Sequence, residues 1–254
     1  MILIAALGIV IGAIAQRVAG LGFALVVAPL FVITFGPYDG VLLINFGGTL
    51  SSIFVLTRLW KDVNWRRYFQ IGPGALLVIV PTSFLVVRYT GSVLQVIIGL
   101  ILLAGLSLSL ATRAGQEFVP RWWVSAAAGA AAGITSATAG IGAPALSIYA
   151  VKIGWNQREF AATLQPIFVT TGAASFISKI LIAGGPPDID WRIWVGMVAL
   201  GGFGMALGER VKRHVSAPTA RKVALILCYA GALVATIDGV ADLAVPNPDN
   251  SGRP

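Results

Sequence analysis

The sequence predicts an all-α polytopic membrane protein built from two inverted-topology repeats, and this prediction rests on the composition and on an internal repeat. Of the 254 residues, 57% are hydrophobic and 11% are charged, and the mean hydropathy is +0.87. Soluble domains carry about a quarter charged residues. Apolar runs near the length of a bilayer crossing recur along the chain, so we expect one membrane domain over residues 1–245 and a disordered tail over 246–254.

Three short motifs occur twice in the same order, which indicates that the chain consists of two homologous halves. The pairs are AGLG (19–22) with AGIG (139–142), DVNWR (62–66) with DIDWR (188–192), and LLAGL (102–106) with YAGAL (229–233). The first repeat covers about residues 1–115 and the second about residues 120–240.

Each half has the same plan, a broken apolar stretch that contains the Ala-Gly-x-Gly motif, followed by three long apolar runs. The broken stretches are 2–36 and 122–153, and the runs are 40–60, 69–87, 93–111, 160–183, 192–208 and 223–240. Most runs reach the roughly 17–25 residues that a spanning helix needs. We therefore predict about ten helical segments, with a broken or re-entrant hairpin and three transmembrane helices in each half.

The loop charges indicate that the two halves lie in opposite orientations. Loops 61–68 and 209–222 are rich in Lys and Arg, whereas the equivalent loops 186–190 and 88–92 carry none and one. Because Lys and Arg accumulate in cytoplasmic loops, the loops of each equivalent pair fall on opposite sides of the membrane. The same distribution accounts for the formal charge of +8, so a nucleic-acid partner is not expected.

The two broken stretches are predicted to meet inside the protein. At about 1.5 Å per residue, the arms of the first stretch reach about 26 and 22 Å, against a hydrocarbon core of roughly 30 Å, so both a full hairpin and a re-entrant one are possible. Gly20, Gly22, Gly140 and Gly142 suit the turns because glycine accepts positive φ, and Pro144 suits the first turn of a restarting helix. Free N–H groups at each restart would form an anion site in the protein centre.

Arg17 lies among apolar residues beside the first turn and has two interpretations. An intramembrane arginine indicates a functional site, and its partner here would be a bound anion. Alternatively, Arg17 reaches the cytoplasmic surface at the tip of a full hairpin and snorkels to the headgroups. Lys179 and Arg58 lie within about a turn of predicted helix ends and are expected to snorkel.

The candidate binding site combines the two turns with polar residues of the helices that follow them. The backbones of 20–23 and 140–143 would cradle an anion, and Arg17 would balance its charge. Polar side chains would orient the anion, although interhelical hydrogen bonding is an alternative role for those in the long helices. The complete predicted set is Gln16, Arg17, Gly20, Leu21, Gly22, Phe23, Asn45, Thr138, Gly140, Ile141, Gly142, Ala143, Thr163 and Gln165.

Two pairs of glycines with GxxxG spacing, Gly8/Gly12 and Gly129/Gly133, occupy equivalent positions in the two halves. This spacing allows helices to pack closely. We expect the packing to occur within each hairpin, and the alternative is an interface in a homodimer.

The sequence contains no metalloprotease, nucleophile-elbow or P-loop motif, and its single histidine, His214, lies in a basic loop. The single cysteine, Cys228, lies in an apolar run, so a disulfide framework and a cysteine metal site are both excluded. We therefore expect no enzymatic activity, cofactor or metal.

The carboxylates are predicted in loops or near helix ends, so none is expected at mid-membrane to carry a coupling proton or sodium ion. An inside-negative potential alone would drive an anion outward, at about 2.3 kcal/mol per 100 mV, without a coupling ion.

With these features the chain resembles the TauE/SafE family of sulfite and sulfonate transporters, whose members carry a glycine-rich motif followed by a proline near the start of each of two repeats. The matching segments are AGLGFALVVAPL, AGIGAPAL, the helix with Asn45 and the loop that ends in VNW. The resemblance covers residues 1 to about 240. The segment QRVAGLG departs from the more glycine-rich family pattern. This departure affects which anion the binding site would accept.

The resemblance implies a multi-pass protein of the plasma membrane that transports small organosulfur anions. The leading hypothesis is a permease that exports sulfite, sulfoacetate or another sulfonate. The alternatives are an importer or channel with the same site, and a membrane scaffold without a transport pathway.

Overall fold

The computed structural model describes residues 2–20, 22–89, 91–112 and 120–244. In these ranges the chain forms ten α-helices, which confirms the all-α prediction. A short 3-10 turn, Trp60–Asp62, follows the third helix. The helices are α1 (Ile2–Ala19), α2 (Phe23–Phe35), α3 (Pro37–Leu59), α4 (Trp65–Arg88), α5 (Ser92–Ala111), α6 (Trp122–Ala139), α7 (Ala143–Lys152), α8 (Gln157–Ala183), α9 (Trp191–Val211) and α10 (Ala217–Ala244).

The helices fall into the two predicted kinds. Six of them, α3, α4, α5, α8, α9 and α10, are long and apolar enough to cross a membrane, and they correspond to the six predicted runs. The broken stretches form the pairs α1/α2 and α6/α7. With 13 and 10 residues, α2 and α7 extend only about 20 and 15 Å, less than a hydrocarbon core of roughly 30 Å. The chain is a multi-pass membrane protein.

The repeated DVNW and DIDW motifs begin equivalent helices. The Asn64 side chain accepts a hydrogen bond from the Arg67 backbone N–H at the start of α4, and Asp190 accepts one from the Arg192 N–H at the start of α9. Asn and Asp are preferred at this position because their side chains satisfy N–H groups that have no partner within the helix. The two copies of the motif therefore cap the starts of two equivalent helices in the same way.

The packing of the helices is compatible with an inverted repeat. If α1 corresponds to α6 and α4 to α9, a pseudo-twofold exchanges the pair α1/α9 with the pair α6/α4, and both pairs are in extensive contact. The same operation maps the pairs α3/α8 and α5/α10 onto themselves, and these helices are also in contact. The first helix of each hairpin therefore packs on a long helix of the other half.

The two ends of the molecule differ in charge. At one end, which we call the basic end, Arg158 donates to Asp62 at 3.0 Å, and Glu209 pairs with both Arg17 and Arg58. These contacts bring together the loops that the charge pattern assigns to one side of the membrane. At the opposite end, the Tyr38 hydroxyl donates to the Lys179 carbonyl at 3.5 Å.

The glycine pairs allow close packing, but only one pair packs as predicted. A Cβ at Gly8 would lie 2.5 Å from Leu30 Cδ1 of α2, inside the first hairpin. Gly129 and Gly133 instead face the backbone of α4, so the prediction of packing within the hairpin is wrong for the second pair. The two glycines lie on the face of α6 that packs on α4. A different face of α6, with Ala127 and Ala131, lies toward α7.

Replacing Gly129 with Ala tests this contact. A Cβ would collide with the Ile71 carbonyl oxygen and lie 3.1 Å from its Cγ2, so we expect a lower melting temperature of the purified protein. Gly202→Ala in α9 is the control, because its Cβ would enter open space and alanine is favoured over glycine in a helix by about 1 kcal/mol. Equal melting temperatures for the two variants would contradict the close packing of α6 on α4.

Candidate functional site

The first helix break lies close to the basic end. Gly20 has φ 75° and Gly22 has φ 153°, so both positions use the positive φ predicted for glycine. A Cβ at Gly20 would lie 3.0 Å from that of Ala161, the fifth residue of α8 and about 6 Å from its start. The hairpin enters from the opposite end, so its tip passes well beyond the middle of the protein.

The second helix break has the geometry of a left-handed helix end. Gly140 has φ 72°, and the N–H groups of Gly140 and Ile141 donate to the carbonyls of Ser136 and Thr135 at 2.9 and 3.3 Å. Gly142 has φ −93°, so the expected positive φ is wrong there. A Cβ at Gly142 would lie 3.2 Å from the Ala132 carbonyl oxygen, and close approach is the reason for a glycine.

Both restarted helices begin at one central cavity. Pro144 lies in the first turn of α7, as predicted, and the first turns of α2 and α7 both line the space. Eight of the predicted residues line it: Gln16, Gly22, Phe23, Asn45, Gly140, Ile141, Gly142 and Ala143. None of the described residues that line it carries a formal charge. Its volume is about 40 Å³, compared with roughly 10–15 Å³ for one water molecule.

Five predicted residues lie outside this cavity, and Leu21 lies outside the described residues. Thr138 donates to the Ile134 carbonyl of its own helix at 2.8 Å. Thr163 accepts from the Asn64 backbone N–H at 3.0 Å, so it holds the loop that ends in VNW against α8. The other three, Arg17, Gly20 and Gln165, lie toward the basic end.

An amide pair separates the central cavity from the basic end. Gln16 donates to the Gln165 side-chain oxygen at 3.1 Å and accepts from the Phe23 N–H at 3.3 Å. Gln165 donates to the carbonyls of Gly20 and Ala161, both at 2.8 Å. These bonds join α1, α2 and α8 across the first break, between the central cavity and the basic end.

Beyond the amide pair lies a second cavity, of about 580 Å³, which opens at the basic end. Arg17, Arg158 and Lys212 contribute to its lining together with the amide side chains of Asn156 and Gln157. No carboxylate occurs among its described lining residues. Arg17 and Arg158 are each paired with a carboxylate outside the lining, so Lys212 is the lining cation that forms no ion pair among the described residues.

Arg17 lies in this second cavity and not in the central one. Its side chain is 7% exposed, and its Nε and Nη2 atoms both contact Glu209, which is 47% exposed. Glu209 also accepts from Arg58 at 2.9 Å. Arg17 therefore lies near the basic end and is held by a carboxylate, a partner that neither interpretation predicted.

Several residues that line the central cavity were not predicted. They lie on one face of α3 and one face of α8, at spacings of three, four and seven residues that place them in line along a helix. On α3, Gly48, Thr49 and Ser52 follow Asn45 at these spacings; Thr171 and Gly172 line the cavity from α8. This periodicity of small polar residues is the signal in the sequence that could have identified them. The same pattern is also typical of residues that only pack helices together.

A buried polar chain extends from the central cavity toward the opposite end. The Asn45 side chain donates to Ser175 Oγ at 3.0 Å, and Lys179 Nζ donates to the same oxygen at 3.1 Å. Lys179 is 0% exposed, so the prediction that it snorkels is wrong. Helical side chains point toward the helix N-terminus, and α8 begins at the basic end, so Lys179 points into the protein.

The described residues contain no group of three His, Cys, Asp or Glu side chains that could hold a metal ion. A membrane-embedded neutral cavity between helix N-termini is typical of a transport site. The sequence matches the family model described as Sulfite exporter TauE/SafE over residues 4–235, nearly the whole chain. The chain belongs to the TauE/SafE family.

TauE/SafE membership implies a membrane transporter of sulfite or sulfonates, and it places the chain among transporters. No curated protein and no solved structure matches the sequence. The predicted family resemblance is confirmed, as is the prediction of a multi-pass protein of the plasma membrane.

Replacing Gly140 with Ala tests how tightly the second tip of this TauE/SafE protein is held. A left-handed conformation costs a non-glycine residue roughly 1–2 kcal/mol, and the new Cβ would lie 2.6 Å from Ile44 Cγ2. We therefore expect a larger loss of thermal stability than for Gly184→Ala, which changes a glycine with the same left-handed helix end in open space. Equal losses would mean that α3 does not confine the tip.

Proposed function

We propose that this TauE/SafE protein exports a small sulfur oxyanion, with sulfite as the best candidate, through the central cavity. One observation supports the proposal most directly: the first turns of α2 and α7 begin at the same buried, neutral cavity. Helix N-termini carry unpaired N–H groups and a positive dipole end, so two of them favour an anion there. Family membership is the reason for proposing a sulfur-containing anion as the substrate.

The size of the central cavity supports a small substrate. Its volume corresponds to roughly three water molecules. An inorganic oxyanion with three or four oxygen atoms is of this size, whereas sulfoacetate carries an additional carboxylate arm. The side-chain hydrogen-bonding groups around the space include those of Gln16, Asn45, Ser136 and Thr171.

Export is the direction that we propose. No carboxylate is found among the described residues that line either cavity, so no acidic side chain is available there to carry a coupling proton or sodium ion. By the positive-inside rule the basic end faces the cytoplasm, so the second cavity, with Lys212 in its lining, would admit anions from the cell interior. The membrane potential would then drive them outward.

Sulfite flux in proteoliposomes tests the proposal. Vesicles loaded with sulfite, and carrying the protein with its basic end toward the lumen, should release sulfite faster when the lumen is negative, and release should saturate with concentration. Accumulation of sulfite against the potential would contradict passive export and favour a coupled importer. Flux equal to that of protein-free vesicles would favour a scaffold.

Gly48→Leu tests whether the central cavity is the route. Gly48 lines the cavity from α3, and a Cβ there would meet no atom within 4 Å, so leucine can fill the space without displacing a helix. We expect at least a tenfold loss of sulfite flux with unchanged thermal stability. The control is Gly196→Leu in α9, where a Cβ also enters open space and no cavity is lined. Equal flux for both variants would exclude the central cavity as the route.

A further inference from the structure

Lys179 is a buried cation for which the described residues offer no carboxylate partner. It is 0% exposed, four residues before the end of α8, and it takes part in none of the ion pairs among the described residues. Its Nζ has one hydrogen-bond partner, Ser175. A buried charge without a counter-charge is costly. An anion that binds nearby during function would supply the missing counter-charge.

The hydrogen bonds that link Lys179, Ser175 and Asn45 have a preferred donor-to-acceptor direction. A lysine ammonium only donates, so Ser175 Oγ accepts from Lys179 and its own hydrogen remains to be donated. The Asn45 amide can accept that hydrogen through its oxygen. Since the oxygen and nitrogen of an amide are distinguished only through their hydrogen-bond network, the network determines which atom faces Ser175.

The orientation of the Asn45 amide depends on whether an acceptor is present beside it. With Nδ2 toward Ser175, the buried Oδ1 of Asn45 has no partner, and the Ser175 hydrogen has no acceptor among the described residues. Exchanging the two amide atoms pairs both groups and leaves Nδ2 without a partner among the described residues, so this orientation is favoured once an acceptor such as an anion faces Nδ2. It also places the N–H donors of Asn45 on the side where Oδ1 had no partner, in a residue that lines the central cavity and is 2% exposed.

We propose that Lys179 supplies the positive charge for an oxyanion bound in the central cavity, and that Ser175 and Asn45 transmit its effect as a chain of aligned donors. Lys179 donates to Ser175, Ser175 donates to Asn45, and Asn45 donates to the anion. Aligned hydrogen bonds in a low-dielectric interior reinforce one another, and the ammonium adds Coulomb attraction at longer range. The proposal rests on the proposed function, because it requires an anion in that cavity.

Lys179→Met tests the proposal in binding measurements on purified protein with sulfite, thiosulfate, sulfate, sulfoacetate and nitrate as probes. We expect at least tenfold weaker anion binding. Without anion, we expect a melting temperature equal to or above that of the wild type, since methionine removes an uncompensated buried charge. The control is Arg192→Met, which removes an exposed charge at the opposite end and should bind as the wild type does.

Ser175→Ala keeps the charge of Lys179 and breaks the donor chain, so it decides the outcome if Lys179→Met does not fold. We expect weaker anion binding in this variant as well. Wild-type affinity in Lys179→Met, or in Ser175→Ala where Lys179→Met is unfolded, overturns the proposal.

The probe anions separate this proposal from the proposed function. If the wild type binds nitrate but no sulfur anion, and Lys179→Met loses that binding, the role of Lys179 stands and the sulfur substrate is wrong. If the wild type binds none of the probes, both proposals fail. If it binds sulfite with the same affinity in all variants, only the role of Lys179 fails.

Discussion

Backbone polar groups that a helix break exposes at membrane depth must find partners inside the protein, and the packing of the two halves follows from this constraint. The Gly20 carbonyl accepts from Gln165, a residue of the other half, and the Phe23 N–H donates to Gln16. At the second break, Gly140 packs on Ile44 of the first half. Each break is thus completed by a helix from the other repeat.

The distribution of charge along the molecule is consistent with an anion that binds and then leaves. The middle is neutral, with side-chain amides, hydroxyls and helix N-termini, while cationic side chains lie on either side of it, in the second cavity and at Lys179. Permeation requires binding that is favourable enough to admit an ion and weak enough to release it. A full positive charge inside the central cavity would oppose release, and Arg17 is held away from it by Glu209.

The sequence was sufficient to predict the helices, their grouping and the two breaks, because these depend on local properties: apolar run length, glycine positions and loop charge. It was sufficient also for eight of the residues that line the central cavity, since they belong to the breaks or follow them closely. The partner of Arg17 was not predictable, because Glu209 is 192 positions away and meets it only through the packing of α1 on α9. Lys179 was misjudged for a different reason. Its distance from the helix end indicated exposure, whereas the direction of its side chain and the neighbouring helix α3 determine its burial.

The packing of α1 on α9 has a consequence for biogenesis. A chain is made from its N-terminus, so α1 enters the membrane long before residues 191–211 exist. In the meantime its partners are α2, α3 and the lipid, and the side chain of Arg17 has no acceptor from Glu209. The first hairpin therefore reaches its final contacts only after most of the protein has been synthesised, and a chain truncated before α9 would leave α1 without the long helix of the other half on which it packs.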